Sequence, residues 1–468
     1  MELNQESIKL LVNKQREFFK SGKTLDVNYR IEALKKLKEA VIKNQDKIMK
    51  ALNTDLGRSE CEAYFCDVGT VIIEINEALH SLKKWNKPKR LNSGLLCFPS
   101  TKTLVYRKPY GVTLIISPFN FPFILSLGVL VASLSAGNTA IIKTSSKSVA
   151  SSAVLEEIIS ETFSEEYVKV VLGGHDVADM LLAERFDKIF YTGSPRVAKH
   201  ILEEASKNLT PVALELGGEN GNWCIVASDA SLEDAARKIA FFKAANSGQI
   251  CININQVAVS KTVAPHFIEL LKQEFKRQLG EDIHNNKEYA KMINEGAFNY
   301  CLKEMEEYKD RIVFGGKSNK ETLRIEPTII YPVDINEKIV NHELFNPMLP
   351  IVEYDDSKLD SLIDTINSRE HPLAFYIFSK NVKWAHSIMK KSHFGGGCIN
   401  EVCVHFMVKG APFNGVGHSG MGAYHGVWGF NEFTYPSTLL FGKNHMNLSL
   451  REHPYSDKKL KAIKKFEK

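Results

Sequence analysis

Cys251 closes the run Asn246-Ser247-Gly248-Gln249-Ile250-Cys251. Two other groups suit a thiol there. Leu214-Glu215-Leu216-Gly217-Gly218 offers a carboxylate at a predicted strand end. Ser117-Pro118-Phe119-Asn120-Phe121-Pro122-Phe123 offers a side-chain amide at another. Thiol, carboxylate and amide are the nucleophile, base and oxyanion donor that acyl chemistry at an aldehyde carbon requires. Each has a blander reading: a cysteine is often a small core residue, a strand-end Glu an ion-pair partner, an Asn a helix cap. Gly217-Gly218 leaves room for a substrate beside Glu215, which favours the base.

The elements that must position these groups follow from hydrophobic patterning. Strands at Val112–Ser117, Thr139–Lys143, Val168–Leu172, Lys188–Tyr191 and Val212–Leu216 alternate with helices at Phe121–Ala136, 147–162, 176–184 and 195–207. Short continuous apolar strands between helices predict a parallel sheet covered on both faces. Ligands bind at the carboxyl ends of such strands. Asn120, Lys143, Gly193 and Glu215 are therefore expected around one crevice. Residues 5–52 read as two amphipathic helices and 59–87 as another. A second α/β region over 218–410 has a helix at 232–247, a strand at 256–260, a helix at 265–278 and strands near 327–331, 350–353 and 374–378. The β-prone segments 92–108 and 432–442 lie outside both regions. The expected fold is α/β: a Rossmann-like cofactor domain (1–91 and 109–217), an α/β catalytic domain (218–415), a β oligomerisation arm (92–108 and 431–445) and a tail (446–468).

Composition narrows the function classes. Apolar content of 44% and charged content of 25% suit a globular chain with a large core. A net charge of +5 over 468 residues is too weak to predict a nucleic-acid partner. Phe121–Gly137 is broken by Pro122, Ser126, Ser133 and Ser135, so it reads as a buried helix, shorter than the ~20 apolar residues of a span. Met1-Glu2-Leu3-Asn4 opens no apolar leader. The eight scattered cysteines are expected to be reduced. Cys398-x4-Cys403-x-His405 lacks the paired spacing of zinc sites, and no metal is expected. Gly315-Gly316-Lys317-Ser318 lacks the first glycine of a phosphate loop, because Arg311 stands there.

These runs, with Tyr191-Thr192-Gly193-Ser194, Glu343-Leu344-Phe345-Asn346-Pro347 and Pro412-Phe413-Asn414-Gly415-Val416-Gly417, occur in the order found in aldehyde dehydrogenases. The chain resembles that family over nearly its whole length. The short N-terminus and the ending Pro454-Tyr455-Ser456-Asp457-Lys458-Lys459-Leu460 look most like the class 3 branch. The resemblance implies oxidation of an aldehyde to a carboxylic acid through a thioester on Cys251, with Asn120 in the oxyanion hole and Glu215 activating water. It implies medium- and long-chain or aromatic aldehydes and a homodimer. Some members carry a hydrophobic C-terminal anchor; this chain stops at Phe466-Glu467-Lys468, so no membrane anchor and a cytoplasmic location are expected. Phe119 stands where Trp is commoner, Asn346 and Asn414 where Gly is usual, and Ile250 before the nucleophile where Thr is. These departures remove no catalytic group but bear on pocket shape.

No Gly-x-Gly-x-x-Gly run follows the first strand. The resemblance implies a variant in which Gly193-Ser194 opens a helix whose backbone N–H groups face an anionic cofactor. Ser194 as a plain N-cap is compatible with that. Lys143 would hold the adenosine ribose, and Glu343 the nicotinamide ribose with Phe345 against the ring. Ser117 and Phe119 would line the same side. A Glu often lies three residues after the strand-end Lys in this family; here it is Ser146, followed by Lys147. NADP is therefore expected to be accepted at least as well as NAD. A cysteine hydrolase or acyltransferase would use the same thiol, but such enzymes usually pair Cys with His, and none lies in these motifs. A non-catalytic binding protein would have no reason to keep the three groups together.

Overall fold

Five apolar strands pair in parallel in the spatial order 212–216, 188–193, 112–116, 139–143, 168–171. This computed structural model describes residues 3–94, 97 and 100–465. Residues 95, 96, 98 and 99 of the 92–108 arm lie outside that range. So do the first two residues and the chain end 466–468, on which the expectations of no leader and no anchor fall. The strand side chains are buried on both faces because helices cover both sides of the sheet. Gly420–Met421 adds a sixth, antiparallel strand beside 212–216, with Gly420 opposite Glu215. The strand order reverses on either side of Val112–Ile116, which puts a switch-point crevice beyond Ile116 and Gly193.

The helical N-terminus differs from its sequence reading in two ways. Three helices, not two, precede residue 57: Gln5–Lys20, Val27–Lys43 and Gln45–Leu56. Asn44 makes the break without leaving the apolar face, since Val41 and Ile48 are both buried. Two stretches read as plain helices each contain a π turn. Tyr64–Val68 interrupts the helix that continues as Gly69–Trp85, and Ile124–Gly128 precedes the wholly buried helix Val129–Ala136. A π turn admits one extra residue, which no hydrophobic period announces, and such turns are frequent at functional sites.

The second sheet has seven strands in the order 312–314, 328–333, 348–354, 256–260, 223–226, 374–378, 396–399. All neighbours are parallel except 312–314. Helices Leu232–Ala244 and Ala264–Leu279 flank its central strands. A third sheet pairs Lys102–Pro109 with Lys89–Leu91 on one side and Thr434–Phe441 on the other. Its edge strand exposes Tyr435, Leu439, Leu440 and Phe441. The Gly-rich stretch 411–430 supplies the strand at 420–421 and the start of helix Gly426–Glu432. Among the described residues no helix is long and apolar enough to cross a membrane.

Candidate active site

The thiol sits just after a backbone reversal. Helix Leu232–Ala244 ends, and Asn246, Ser247 and Gly248 take φ of 49°, 52° and 77° in succession. Three left-handed residues in a row turn the chain sharply, at a cost that surrounding contacts must offset. Gly248 also faces backbone: a Cβ there would lie 2.2 Å from the Asn346 carbonyl oxygen. Asn222, just ahead of strand Trp223–Val226, donates to the Cys251 and Asn253 carbonyls at 2.7 and 2.8 Å. The Asn120 amide donates to the Gln249 carbonyl at 3.1 Å. The loop beyond the first sheet and the Cys251 loop are thus one hydrogen-bonded unit.

Arg58 holds that unit from beneath. Its side chain and that of Asp67 are both fully buried and pair at 2.6 Å. Arg58 Nε donates to Asn246 Oδ1 at 2.9 Å, and Nη2 donates to the Asn120 carbonyl. Asn246 Nδ2 donates to the same carbonyl at 3.1 Å. The guanidinium lies 4.3 Å from the Phe121 ring centre. The other Asp67 oxygen accepts the N–H groups of Phe123 and Ile124 at 3.1 and 2.9 Å. Asp67 thereby meets two unpaired donors at the start of the 124–136 segment, where a negative charge is favoured. No motif marked Arg58 or Asp67 in the sequence; Arg58 looks like an ordinary charge before a helix and Asp67 like one on its polar face.

Two carboxyls, Glu215 and Glu343, act on Cys251. Glu215 is 3% exposed, and neither of its carboxyl oxygens has a hydrogen-bond partner. Burial raises its pKa well above the usual carboxylate range, and Glu432 adds to this. Glu343 lies over Gly217, where a Cβ would come within 2.0 Å of its Oε1. That oxygen also lacks a partner, and burial pushes the Glu343 carboxyl up to about 8. The Cys251 thiol is pushed up to about 12, first by burial and then by the charges of Glu343 and Glu215. Its own N–H and that of Ile252 act the other way. The help a thiolate needs comes here from backbone dipoles, against two nearby carboxyls.

In front of the thiol lies a cavity of about 540 Å³. Cys251 lines it together with Phe121, Leu125, Phe242, Phe406 and Phe413, while Glu215 and Asn120 do not. Among the described residues no histidine lines it. Cys251 therefore marks the boundary between an apolar cavity and a carboxyl-lined space.

The remaining predicted residues gather around the strand ends of the first sheet. Lys143 lies beside Ile116 in the sheet, and its ammonium donates to the Thr144 and Gly173 carbonyls at 2.7 and 2.8 Å. Burial lowers its pKa to about 8, and Asp176 opposes that. Asp176 was not marked by the sequence, because helix His175–Leu182 carries it in from another strand end. Ser194 is the N-cap of helix Pro195–Ser206 but makes no side-chain capping bond. The Ser117 hydroxyl is engaged by Ser126 at 2.7 Å. Phe119 and Phe345 meet edge to face at 5.9 Å, which joins two motifs distant in sequence. Lys147 lies 5.3 Å over the Phe119 ring, and Ser146 is exposed. A buried ammonium bonded to carbonyls, an unpartnered Glu343 oxygen, an unpartnered Thr192 hydroxyl and a helix N-terminus fit an anionic dinucleotide with ribose hydroxyls.

Residues 1–439 match the profile of the aldehyde dehydrogenase family. The chain is 36% identical to 4,4'-diaponeurosporen-aldehyde dehydrogenase of Staphylococcus aureus, over 96% of each chain. It is 36% identical to aldehyde dehydrogenase family 3 member A2 of Mus musculus, over 96% of this chain and 92% of that one. The structure of Staphylococcus aureus AldH in a substrate-bound state superposes with a TM-score of 0.95 at 35% identity, covering 100% of both chains. The NADP complex of glyceraldehyde-3-phosphate dehydrogenase GapN from Methanocaldococcus jannaschii shares the fold at 24% identity, with a TM-score of 0.83 over 95% of this chain and 96% of that one.

Removing one partner of the buried pair leaves a charge uncompensated, which costs about 3–5 kcal/mol. Arg58→Ala and Asp67→Ala should each lower the thermal unfolding midpoint by several degrees. The double variant Arg58→Met/Asp67→Leu should recover much of the loss. Single variants that unfold with the wild type would show that the pair does not hold this region together.

Proposed function

The chain belongs to the aldehyde dehydrogenase family and is an NAD(P)-dependent oxidoreductase, and we propose that it oxidises aldehydes with an apolar chain or ring, using Cys251, Glu215 and Asn120. The observation that carries this reading is Cys251 between the apolar cavity and two carboxyls with unpartnered oxygens, the buried Glu215 and the half-buried Glu343. The aldehyde enters with its apolar part in the cavity. The Cys251 thiol gives up its proton to water, the thiolate sulfur bonds to the carbonyl carbon, and the carbonyl oxygen takes up the negative charge. The Asn120 amide and a backbone N–H at Cys251 stabilise that oxyanion; losing one such donor costs on the order of 100-fold or more. When bound, a nicotinamide dinucleotide would supply the hydride acceptor; the tetrahedral carbon on Cys251 loses its hydrogen as hydride, the C=O bond re-forms, and a thioester remains on Cys251. Glu215, ionised, takes a proton from water as the water oxygen bonds to the acyl carbon. The C–S bond breaks, and the carboxylic acid departs.

On this reading Lys143, Gly193, Ser194, Ser117, Phe119, Glu343 and Phe345 hold the cofactor. Residues 1–91 and 109–217 bind it, 218–415 carry the thiol, and 446–468 form a tail. Eight free cysteines suit a reducing compartment, so the reading includes a cytoplasmic location.

Glu215→Gln should slow thioester hydrolysis more than hydride transfer. Rapid mixing would then give a burst of reduced cofactor followed by slow turnover, and Cys251→Ala should give neither while still binding cofactor. Equal loss of burst and steady state in Glu215→Gln would refute the base assignment.

No carboxylate occupies the position after Lys143 that would repel a 2′-phosphate, and Lys147 adds positive charge beside Ser146. The acidic group that acts on Lys143 is Asp176, in the first turn of helix His175–Leu182. We expect kcat/KM with NADP to equal or exceed that with NAD, and Ser146→Glu to shift preference toward NAD. An NAD preference above tenfold in the parent, about 1.4 kcal/mol, would overturn this.

The edge strand Thr434–Phe441, with its exposed apolar residues, supports a homodimer formed through the arm. Light scattering should give twice the chain mass at micromolar concentration, and Leu440→Lys should shift it toward the monomer. A monomer at that concentration in the parent would contradict the assignment.

A further inference from the structure

Residues 342–346 carry Glu343 and Phe345, and one buried carboxylate ties down both ends of this segment. Phe345 takes φ of 49°, a left-handed conformation that surrounding contacts must hold. Glu304, on helix Glu295–Glu307, is 5% exposed. Its Oε1 meets His342 Nε2 at 2.5 Å, and its Oε2 accepts the Asn346 side-chain amide at 3.4 Å. The Tyr300 hydroxyl also donates to Oε1, at 3.4 Å. Asn346, which stands where the family usually has Gly, is bonded at both ends, since its Oδ1 accepts the Met348 N–H at 3.0 Å. The other His342 nitrogen, Nδ1, donates to the Lys338 carbonyl at 2.9 Å. Donors from Tyr300 and Asn346 favour the ionised form of Glu304. Each His342 nitrogen therefore faces an acceptor, and the ring is an imidazolium one residue from Glu343.

We propose that Glu304 and His342 are positioning residues for the nicotinamide end of the cofactor: the pair fixes 342–346 against helix Glu295–Glu307 and sets a cation next to Glu343. The inference rests on the reading of Glu343 as the group that holds the nicotinamide ribose, and it adds what prepares that carboxyl. Glu343 has an unpartnered oxygen and lies over Gly217. Burial works against its ionised form, and the charge of His342 works for it. An ionised carboxyl accepts from both ribose hydroxyls, whereas a protonated one carries a donor as well. The hydrogen bond to Glu304 raises the His342 pKa, burial lowers it, the Lys338 carbonyl and the Glu304 charge raise it, and the Lys338 ammonium lowers it. Glu343 in turn acts on Cys251. Near neutral pH the imidazolium favours ionised Glu343. As pH rises the cation is lost, but Glu343 then ionises without it.

The test is the dissociation constant of NADP, measured by calorimetry at pH 7 and pH 9 in the parent, His342→Gln, His342→Arg and Glu304→Gln. Adenosine 2′,5′-bisphosphate, which lacks the nicotinamide ribose, is the control ligand. His342 is half-buried, so its variants should fold. An opposite charge beside a carboxyl changes its ionised fraction on the order of tenfold, so His342→Gln should bind NADP about tenfold more weakly at pH 7. That deficit should shrink toward nothing at pH 9. His342→Arg keeps a cation and should bind as the parent at pH 7. Glu304→Gln leaves the imidazolium without its counter-ion and should weaken NADP in the same pH-dependent way. All three should bind the bisphosphate as the parent does. Gln variants that bind NADP like the parent, that lose NADP and the bisphosphate alike, or that lose NADP equally at both pH values would overturn the proposal. So would a His342→Arg protein that behaves like His342→Gln. Glu343→Gln reports separately on the underlying reading. Unchanged NADP affinity in that variant would refute the ribose assignment, whereas weakened affinity there with parent-like His342→Gln and Glu304→Gln would refute the positioning role alone.

Discussion

The ion pair between Arg58 and Asp67 is the constraint on which the rest of the site depends. One guanidinium fixes a carboxylate, the Asn246 side chain and the Asn120 carbonyl, all without solvent. Asn246 carries the first left-handed residue of the turn before Cys251. Asn120 donates back to that turn through Gln249. The proposed oxyanion donor and the proposed nucleophile therefore come from different sheets yet are set by one buried cation. A lysine could not replace it, since a single ammonium lacks the planar fork that reaches three acceptors in different directions.

Electrostatics around the thiol follow from the same burial. Two carboxyls with unpartnered oxygens lie near the thiol, and both raise the cost of ionising it. Burial raises the pKa values of Cys251, Glu215 and Glu343, Glu432 adds to the shift of Glu215, and the two carboxyls add to the shift of the thiol. A protonated Glu215 cannot act as a base, so the proposed hydrolysis step should favour alkaline conditions. The cavity on the other side of the sulfur has the opposite character and offers an aldehyde aromatic and aliphatic walls.

The first sheet was legible because its strands are short apolar runs bounded by turn residues. Thr139–Lys143 and Val212–Leu216, and Gln256–Ser260 in the second sheet, have the boundaries their patterns predict. The crevice was legible for the same reason: strand ends in a parallel sheet converge, and Lys143, Gly193 and Glu215 stand at strand ends. The π turns were not legible, because an inserted residue leaves the amphipathic pattern intact on either side. Arg58 and Asp67 were hidden because a buried ion pair has no local signature; its partners at Asn120 and Asn246 are 62 and 188 residues away. Asp176 escaped because its tie to Lys143 depends on how neighbouring strands end, not on spacing along the chain. The thiol environment ran against expectation, since a strand-end carboxylate that serves as a base also opposes the thiolate beside it.

The most direct test is where the acyl group is carried. Glu215→Gln protein mixed with an apolar aldehyde and oxidised cofactor, quenched in acid after the first turnover and digested, can be read by peptide mass spectrometry. The account predicts an acyl mass on the peptide containing Cys251 and on no other cysteine. Reduced cofactor formed with no acyl mass on that peptide, or with the acyl mass on Cys66 or Cys403, would contradict it.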